Sequence, residues 1–271
     1  MKMTKPSPAQ SPNKLLDNSS SLDALRQKID ATDAALLDLL QTRAALVAQI
    51  GAQKAASDDP SILRPARETQ QMRKLIKWHK SVRSPMPLMG FLAIWREIIA
   101  SAVSQQQPLQ VFFVPDNESA MADKSLVEND AAMLALARAQ FGYAANYQSC
   151  ADAKQALSSL APSSLVSGQN NVAVLPLHGD WWAQLPDGVC VFAPLPLLAE
   201  RPQALCVGKI ILKESGDDIT LICGAENALP QGAQLIAKSN AQCLAQLAGF
   251  WSQDKLPAKV KRVGTYGRLI V

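Results

Sequence analysis

The chain has 271 residues, 48% of them hydrophobic, and 27 Lys+Arg against 23 Asp+Glu for a net charge of +4. It is long enough for two domains, and its mild, dispersed charge excludes the basic footprint of a nucleic-acid binder. Five cysteines without a C-x-x-C pair and only two histidines argue against a disulfide framework or a metal site, so reduced and mostly buried thiols in a cytoplasmic protein are expected.

Residues 1–20 are polar and proline-bearing, with no apolar run. They read as a disordered leader, neither a signal peptide nor a membrane anchor. The first element follows, from about Ser21 to Ala56, with no proline and a single glycine, Gly51. A serine such as Ser20 or Ser21 suits its N-cap. Leu22, Leu25, Ile29, Leu36, Leu40, Val47 and Ile50 recur at helical spacing. Such a helix is about 54 Å long at 1.5 Å per residue, more than one small domain can cover. It needs another long helix beside it, and the simplest supplier is a second copy of the chain packed about a two-fold axis.

"SILRPARETQ" opens the next helix, with Pro65 in the first turn followed by Arg67 and Glu68. A glutamate there suits the helix dipole; an arginine does not, and calls for an anion from elsewhere. "SPMP" at Ser84–Pro87 interrupts the helical pattern. A third helix, "LMGFLAIWREIIASAVSQQQ", ends before Pro108.

On the long helix, Arg43 and Lys54 differ by about 20° in azimuth and share a face. Arg26 lies roughly 100° round and about 25 Å away along the axis. In an antiparallel pair of helices, the partner's Arg26 can approach this chain's Arg43 and Lys54, so that three cations from two chains meet one anion. Taken singly, each is more simply a solvated surface charge. As a set they interrupt the apolar pattern at positions that should face inward.

The segment "LRQKIDATDAALLDLLQTRAALVAQIGAQK", then "RPARE", then "IWREIIASAVSQQ" resembles the AroQ-type, all-helical chorismate mutases over about residues 20–107. The resemblance implies three helices and an intertwined dimer whose first helices pair across the two-fold. It implies the Claisen rearrangement of chorismate to prephenate, in aromatic amino acid biosynthesis. That reaction needs no nucleophile, metal or cofactor. It is helped by holding the reactive conformer and stabilising charge on the ether oxygen as its bond lengthens.

Carried over by position, the resemblance implies that Arg26 reaches a substrate carboxylate in the partner's site and Arg43 grips the other carboxylate by a bidentate fork. Lys54 would serve the ether oxygen together with Gln106. Arg67 would orient substrate, and Glu68 would accept a hydrogen bond from the ring hydroxyl. Two departures stand out: Ala102 replaces a serine found in some members, and the loop between Lys54 and Arg67 is slightly longer. Arg64, where some members have Asp, is at most a helper.

From Leu109 onward the pattern changes. "LQVFFV", "NVAVLPL", "GVCVFAPL", "ALCVGKIILK", "DDITLICG" and "AKVKRVGTYGRLIV" read as strands. "AAMLALARAQFG", "ADAKQALSSL" and "NAQCLAQLAGFW" read as helices. The expected architecture is therefore a leader (1–20), an all-α three-helix intertwined-dimer domain (21–107) and an α/β or α+β domain (108–271). "ARAQFGYAANYQSCADAKQALSSL" with "NNVAVLPLHGDWW", and the ending "VKRVGTYGR", are similar to a prephenate dehydratase lobe. The Thr-Arg-Phe motif that such an enzyme carries is missing near "RPQALCVGKI", and ACT-type motifs are missing near "AENALPQG". A degenerate or regulatory relic is expected there. His178 beside Asp180 reads as a packing histidine, and Trp181 and Trp182 as core or interface residues.

Other functions use the same features. An isochorismate-pyruvate lyase wants the same cations, although Glu68 and Gln106 favour the mutase. A non-enzymatic or regulatory dimer would keep the helices and bind a ligand with its distal half.

Overall fold

The computed structural model describes residues 21–55, 62–116, 126–160, 170–199 and 201–269. The leader expected over 1–20 lies outside the described residues. The chain divides into two units, residues 1–49 and 50–271.

The first unit holds most of helix α1, Leu22–Ala55. Ser21 caps it, its Oγ accepting from the amide of Ala24 at 3.3 Å. Asp23 in the first turn and Lys54 in the last both complement the helix dipole. Thr32 and Thr42 donate their hydroxyls to carbonyls one turn back, at Lys28 and Asp38. The expected apolar positions are present but uncovered in the single chain: Ile29 is 59% exposed and Leu37 68%. Among the described residues of α1, Val47 alone is buried.

The second unit begins with two helices, α2 (Pro65–Ser81) and α3 (Leu88–Gln106). Pro65 starts α2, and Pro87 is the N-cap of α3. The break between them is short, and His79 Nε2 meets the Met86 carbonyl oxygen across it at 2.7 Å. Met72 and Ile76 of α2 pack with Leu92 and Ile99 of α3 in a small core.

The remainder is a mixed sheet of nine strands among the described residues. β1 (Leu109–Phe113) pairs in parallel with β2 (Asn146–Ser149) and β3 (Asn170–Pro176). Helices α4 (Leu126–Phe141) and α5 (Ala153–Ser158) make the crossovers between them. The later strands are β4 (Val189–Leu195), β5 (Ala204–Lys209), β6 (Asp218–Gly224), β7 (Gln234–Ser239), β8 (Gln242–Ala248) and β9 (Lys261–Gly267). The spatial order is β2-β1-β3-β5-β4-β9-β6-β8-β7.

The two-residue period sets the core on each face. In β1, Phe112 joins Leu175, Trp181, Trp182 and Leu205 on one side. Val111 and Phe113 join Met133, Ala137 and Phe141 of α4 on the other. The expected core placement of Trp181 and Trp182 holds: both are buried, and the Trp181 indole donates to the Pro176 carbonyl at 2.9 Å. His178 does not pair with Asp180. It faces Asp116 at 3.2 Å, while Asp180 accepts from the Gln184 amide at 3.0 Å.

One element differs from expectation. "NAQCLAQLAGFW" is not a helix; its centre is β8, paired antiparallel with β6 on one side and β7 on the other. Its Cys243, Leu244, Ala245 and Leu247 are buried by those neighbours. A strand interior to a sheet reads as a nearly continuous apolar run, which helical spacing also fits.

Four of the five cysteines are buried and Cys190 is half-buried. Burial raises the thiol pKa of Cys150, Cys190, Cys206 and Cys223. In the folded chain at neutral pH, these four thiols should react with Ellman's reagent far more slowly than all five do in denaturant.

The two halves of the sheet meet where Val191 of β4 pairs with Gly264 of β9. A Cβ on Gly264 would overlap the Val191 backbone, which has no flexible end to move away. At Gly208 an added Cβ meets Phe192 and Val172 at an ordinary 3.4 Å. Gly264→Ala is therefore expected to cost at least about 1–3 kcal/mol as an overpacked site, and Gly208→Ala much less; urea denaturation of the two variants checks this.

Candidate functional site

The candidate residues lie on α1, α2 and α3. Arg26 and Arg43 belong to the unit 1–49; Lys54, Arg67, Glu68 and Gln106 belong to the unit 50–271. Within the first unit, Arg26 is exposed and pairs with Asp23 at 3.3 Å, one turn earlier. Arg43 is half-buried, and burial draws its pKa below the ordinary guanidinium value.

In the second unit, the last turn of α1 meets the end of α3. A Cβ built on Gly51 would sit 3.3 Å from Cγ of Gln106, so the absent side chain lets the two helices approach closely. Lys54 is half-buried and one turn beyond Gly51. The Gln106 amide donates to the Ala102 carbonyl at 2.9 Å, which fixes the side-chain orientation. Its Oε1 is buried without a partner among the described residues. The structure thus brings together the helical turns that carry Lys54 and Gln106.

Arg67 and Glu68 are consecutive, and their side chains diverge. Arg67 is exposed, beside a cavity of about 180 Å³ whose walls include Arg64, Gln70, Lys213 and Glu214. Glu68 turns inward and accepts from Arg96 Nη1 at 3.0 Å through Oε2.

Arg96 is the residue that sequence reasoning missed. It is 8% exposed, and its Nη2 donates to the Gln140 carbonyl of α4 at 2.5 Å. A signal existed: in "FLAIWREIIASAV" a cation falls four residues after Leu92 and three before Ile99, on the face that α3 buries. A charge in that position requires a partner, although its spacing alone does not name one.

Helix α2 is also anchored to the sheet. The Arg73 guanidinium donates to three carbonyls, those of Ser215 at 2.8 Å, Arg268 at 3.0 Å and Asp217. The turn it grips is itself built on buried Asp218, which accepts from the Ser215 amide at 2.8 Å and the Ser215 hydroxyl at 2.6 Å. No helix among the described residues is long and apolar enough to cross a membrane.

The helices thus carry separated cations, an inward carboxylate and a terminal glutamine, and α2 and α3 are joined to an α/β sheet. Residues 25–107 match the model of the chorismate mutase type II family. Two relatives are each a bifunctional chorismate mutase/prephenate dehydratase. That of Stutzerimonas stutzeri is 28% identical over 103 residues, covering 36% of this chain and 27% of the relative. That of Aquifex aeolicus (strain VF5) is 30% identical over 130 residues, covering 48% and 32%. The chain thus matches about a third or less of the length of these curated relatives. No solved structure matches it. The resemblance drawn for the helical segment is borne out, and both relatives join the two family names that the sequence attached to the two parts of the chain.

Removing Arg96 would leave Glu68 as an uncompensated carboxylate against a largely buried face. Arg96→Met is expected to lower stability by about 3–5 kcal/mol. Adding Glu68→Gln to that variant should restore part of the loss, as measured by urea denaturation of the single and double variants.

Proposed function

We propose that this chain is a chorismate mutase of aromatic amino acid biosynthesis, converting chorismate to prephenate by electrostatic and conformational stabilisation of the transition state. The observation that carries this is the approach of the Lys54 turn to Gln106, inside the segment that matches the family model. Chorismate has two carboxylates and an enol ether whose C–O bond lengthens in the transition state. An ammonium and an amide aimed at that oxygen stabilise charge that is weak in the ground state and strong at the barrier.

In this proposal Arg43 holds one carboxylate, and its partial burial strengthens the contact by excluding water. Arg67 orients the substrate at the mouth of the site. Arg96 occupies Oε2 of Glu68, and the carboxylate's remaining acceptor capacity receives the ring hydroxyl. Arg26 acts in the partner's site. A dimer about α1 would cover leucines and isoleucines that a single chain leaves in water, each worth about 1.5–3 kcal/mol when fully buried. Residues 21–107 then form the mutase segment, and 108–271 an accessory α/β domain derived from a dehydratase-like lobe.

Loss of chorismate absorbance with prephenate accumulation tests the activity. Salicylate fluorescence from isochorismate, without prephenate formation from chorismate, would instead assign a lyase. Arg43→Ala and Lys54→Ala should each lower turnover by about 10²–10³-fold while leaving the fold intact by circular dichroism. Equal mixing of inactive Arg26→Ala and inactive Arg43→Ala subunits should restore about a quarter of wild-type activity, since half the dimers are then mixed and each has one whole site. No recovery in proven heterodimers would remove the role of Arg26 across the interface.

A further inference from the structure

One cavity of the second unit has neither Lys54 nor Gln106 in its walls. It has a volume of about 510 Å³ and sits between α3 and α4, closed on one side by the Leu195–Leu198 segment and Leu269. That volume lies within the range of small-molecule sites, about 300–1,000 Å³. Its body is aliphatic, with Leu92 of α3, Leu134 of α4, and Leu197. Along α4 the wall is smooth: Ala131, Ala135 and Ala139 line it at successive turns, a span of about 12 Å at 1.5 Å per residue.

The polar groups are concentrated near one end of that span. Arg138 lies with its guanidinium carbon 5.3 Å from the ring centre of Tyr143 and 5.7 Å from that of Tyr147. Both rings lie within cation–π range of the guanidinium, and no ion pair to it is seen among the described residues. Glu97, the acid on this wall, is already engaged: both its oxygens accept from the Tyr143 amide at 3.2 Å. Deeper in, Arg96 lines the cavity while holding Glu68 and the Gln140 carbonyl.

We propose that this cavity binds a medium-chain aliphatic monocarboxylate, its chain along the alanine wall of α4 and its carboxylate on Arg138, and that occupancy reaches Glu68 through Arg96. An aliphatic wall about two helical turns long suits an extended hydrocarbon chain better than a compact polar molecule. A positioned guanidinium at its end, free of a carboxylate partner, selects an anion for the head. The second part of the proposal rests on the mutase reading of Glu68; the first part does not.

The probe is decanoate, kept below its micelle concentration, added to the full-length protein and followed by isothermal titration calorimetry. One saturable site per chain is expected. Decyltrimethylammonium, with the same chain and the opposite head charge, should bind at least about tenfold more weakly, as should decanoate to Arg138→Gln. Ala135→Trp, at an exposed helix position, should fill the cavity and abolish binding while circular dichroism stays native. Absence of saturable binding, or binding that neither variant weakens, overturns the site. With chorismate as substrate, decanoate should raise KM about fivefold in the wild type and leave the Ala135→Trp variant unaffected. Decanoate binding without any change in KM overturns the link to Glu68. A chain that binds decanoate but never turns over chorismate overturns the mutase reading and the link that rests on it, and leaves the site standing.

Discussion

A guanidinium taken out of water must be satisfied by the protein or it costs several kcal/mol, and Arg96 is in that position. Its two terminal nitrogens go to different elements, one to Glu68 of α2 and one to the Gln140 carbonyl of α4. Three helices are thereby held in register by one side chain of α3. Apolar packing among Met72, Ile76, Leu92 and Ile99 keeps α2 and α3 together, but such contacts are non-directional. The ion pair supplies direction: it sets which way Glu68 points. Because Arg67 is the next residue back along the helix, its side chain is turned about 100° away and toward the exposed side. The division of labour between an inward acid and an outward cation therefore follows from one buried charge.

A second constraint acts on α1. A helix of 34 residues extends about 51 Å, and nearly all its described residues are exposed in the single chain. Helical propensity alone does not hold such an element in water, since most helical stability in proteins comes from packing an apolar face. The leucines at Leu22, Leu36, Leu40 and Leu46 are thus unspent packing surface. The last turns of the same helix, from Gly51 to Lys54, are treated differently: they are partly covered, and Gly51 admits α3 at close range.

Much of this was legible in the sequence, for identifiable reasons. Ser21, Pro65 and Pro87 punctuate the helices, and punctuation is local chemistry. The strands β1, β3, β4, β5, β6 and β9 showed as short apolar runs. β8 was misread because Cys243, Leu244 and Leu247 fit a helical stripe as well as a strand buried by two neighbours. β2 and β7 gave no signal: "NYQS" is largely polar and exposed, and β7 carries Gln234, Lys238 and Ser239 at the sheet's end. The site was legible in the same uneven way. Cations at helical spacing on α1 could be placed on faces, but the partner of Glu68 lies 28 residues away on another helix. Pairings of that kind depend on tertiary packing, and helix period alone does not contain them.

The relation between the helices and the sheet follows from two arginines rather than from the order of segments along the chain. Arg73 on α2 donates to carbonyls at Ser215, Asp217 and Arg268, which lie just before β6 and just after β9. Ser215 belongs to a turn held by Asp218, the first residue of β6, and the Arg268 amide donates to the Asp217 carbonyl at 2.8 Å, so the acceptors' positions are set by the sheet. Arg96 reaches the last turn of α4, itself packed on β1 and β4. Helix α2 bears Arg67 and Glu68, so the orientation of both is tied to the sheet through fixed acceptors. A sheet used this way need carry no chemistry of its own to matter for the site: it is the rigid element against which α2 and α3 are set, which explains why two short helices with a four-residue apolar core can hold charged side chains in fixed directions.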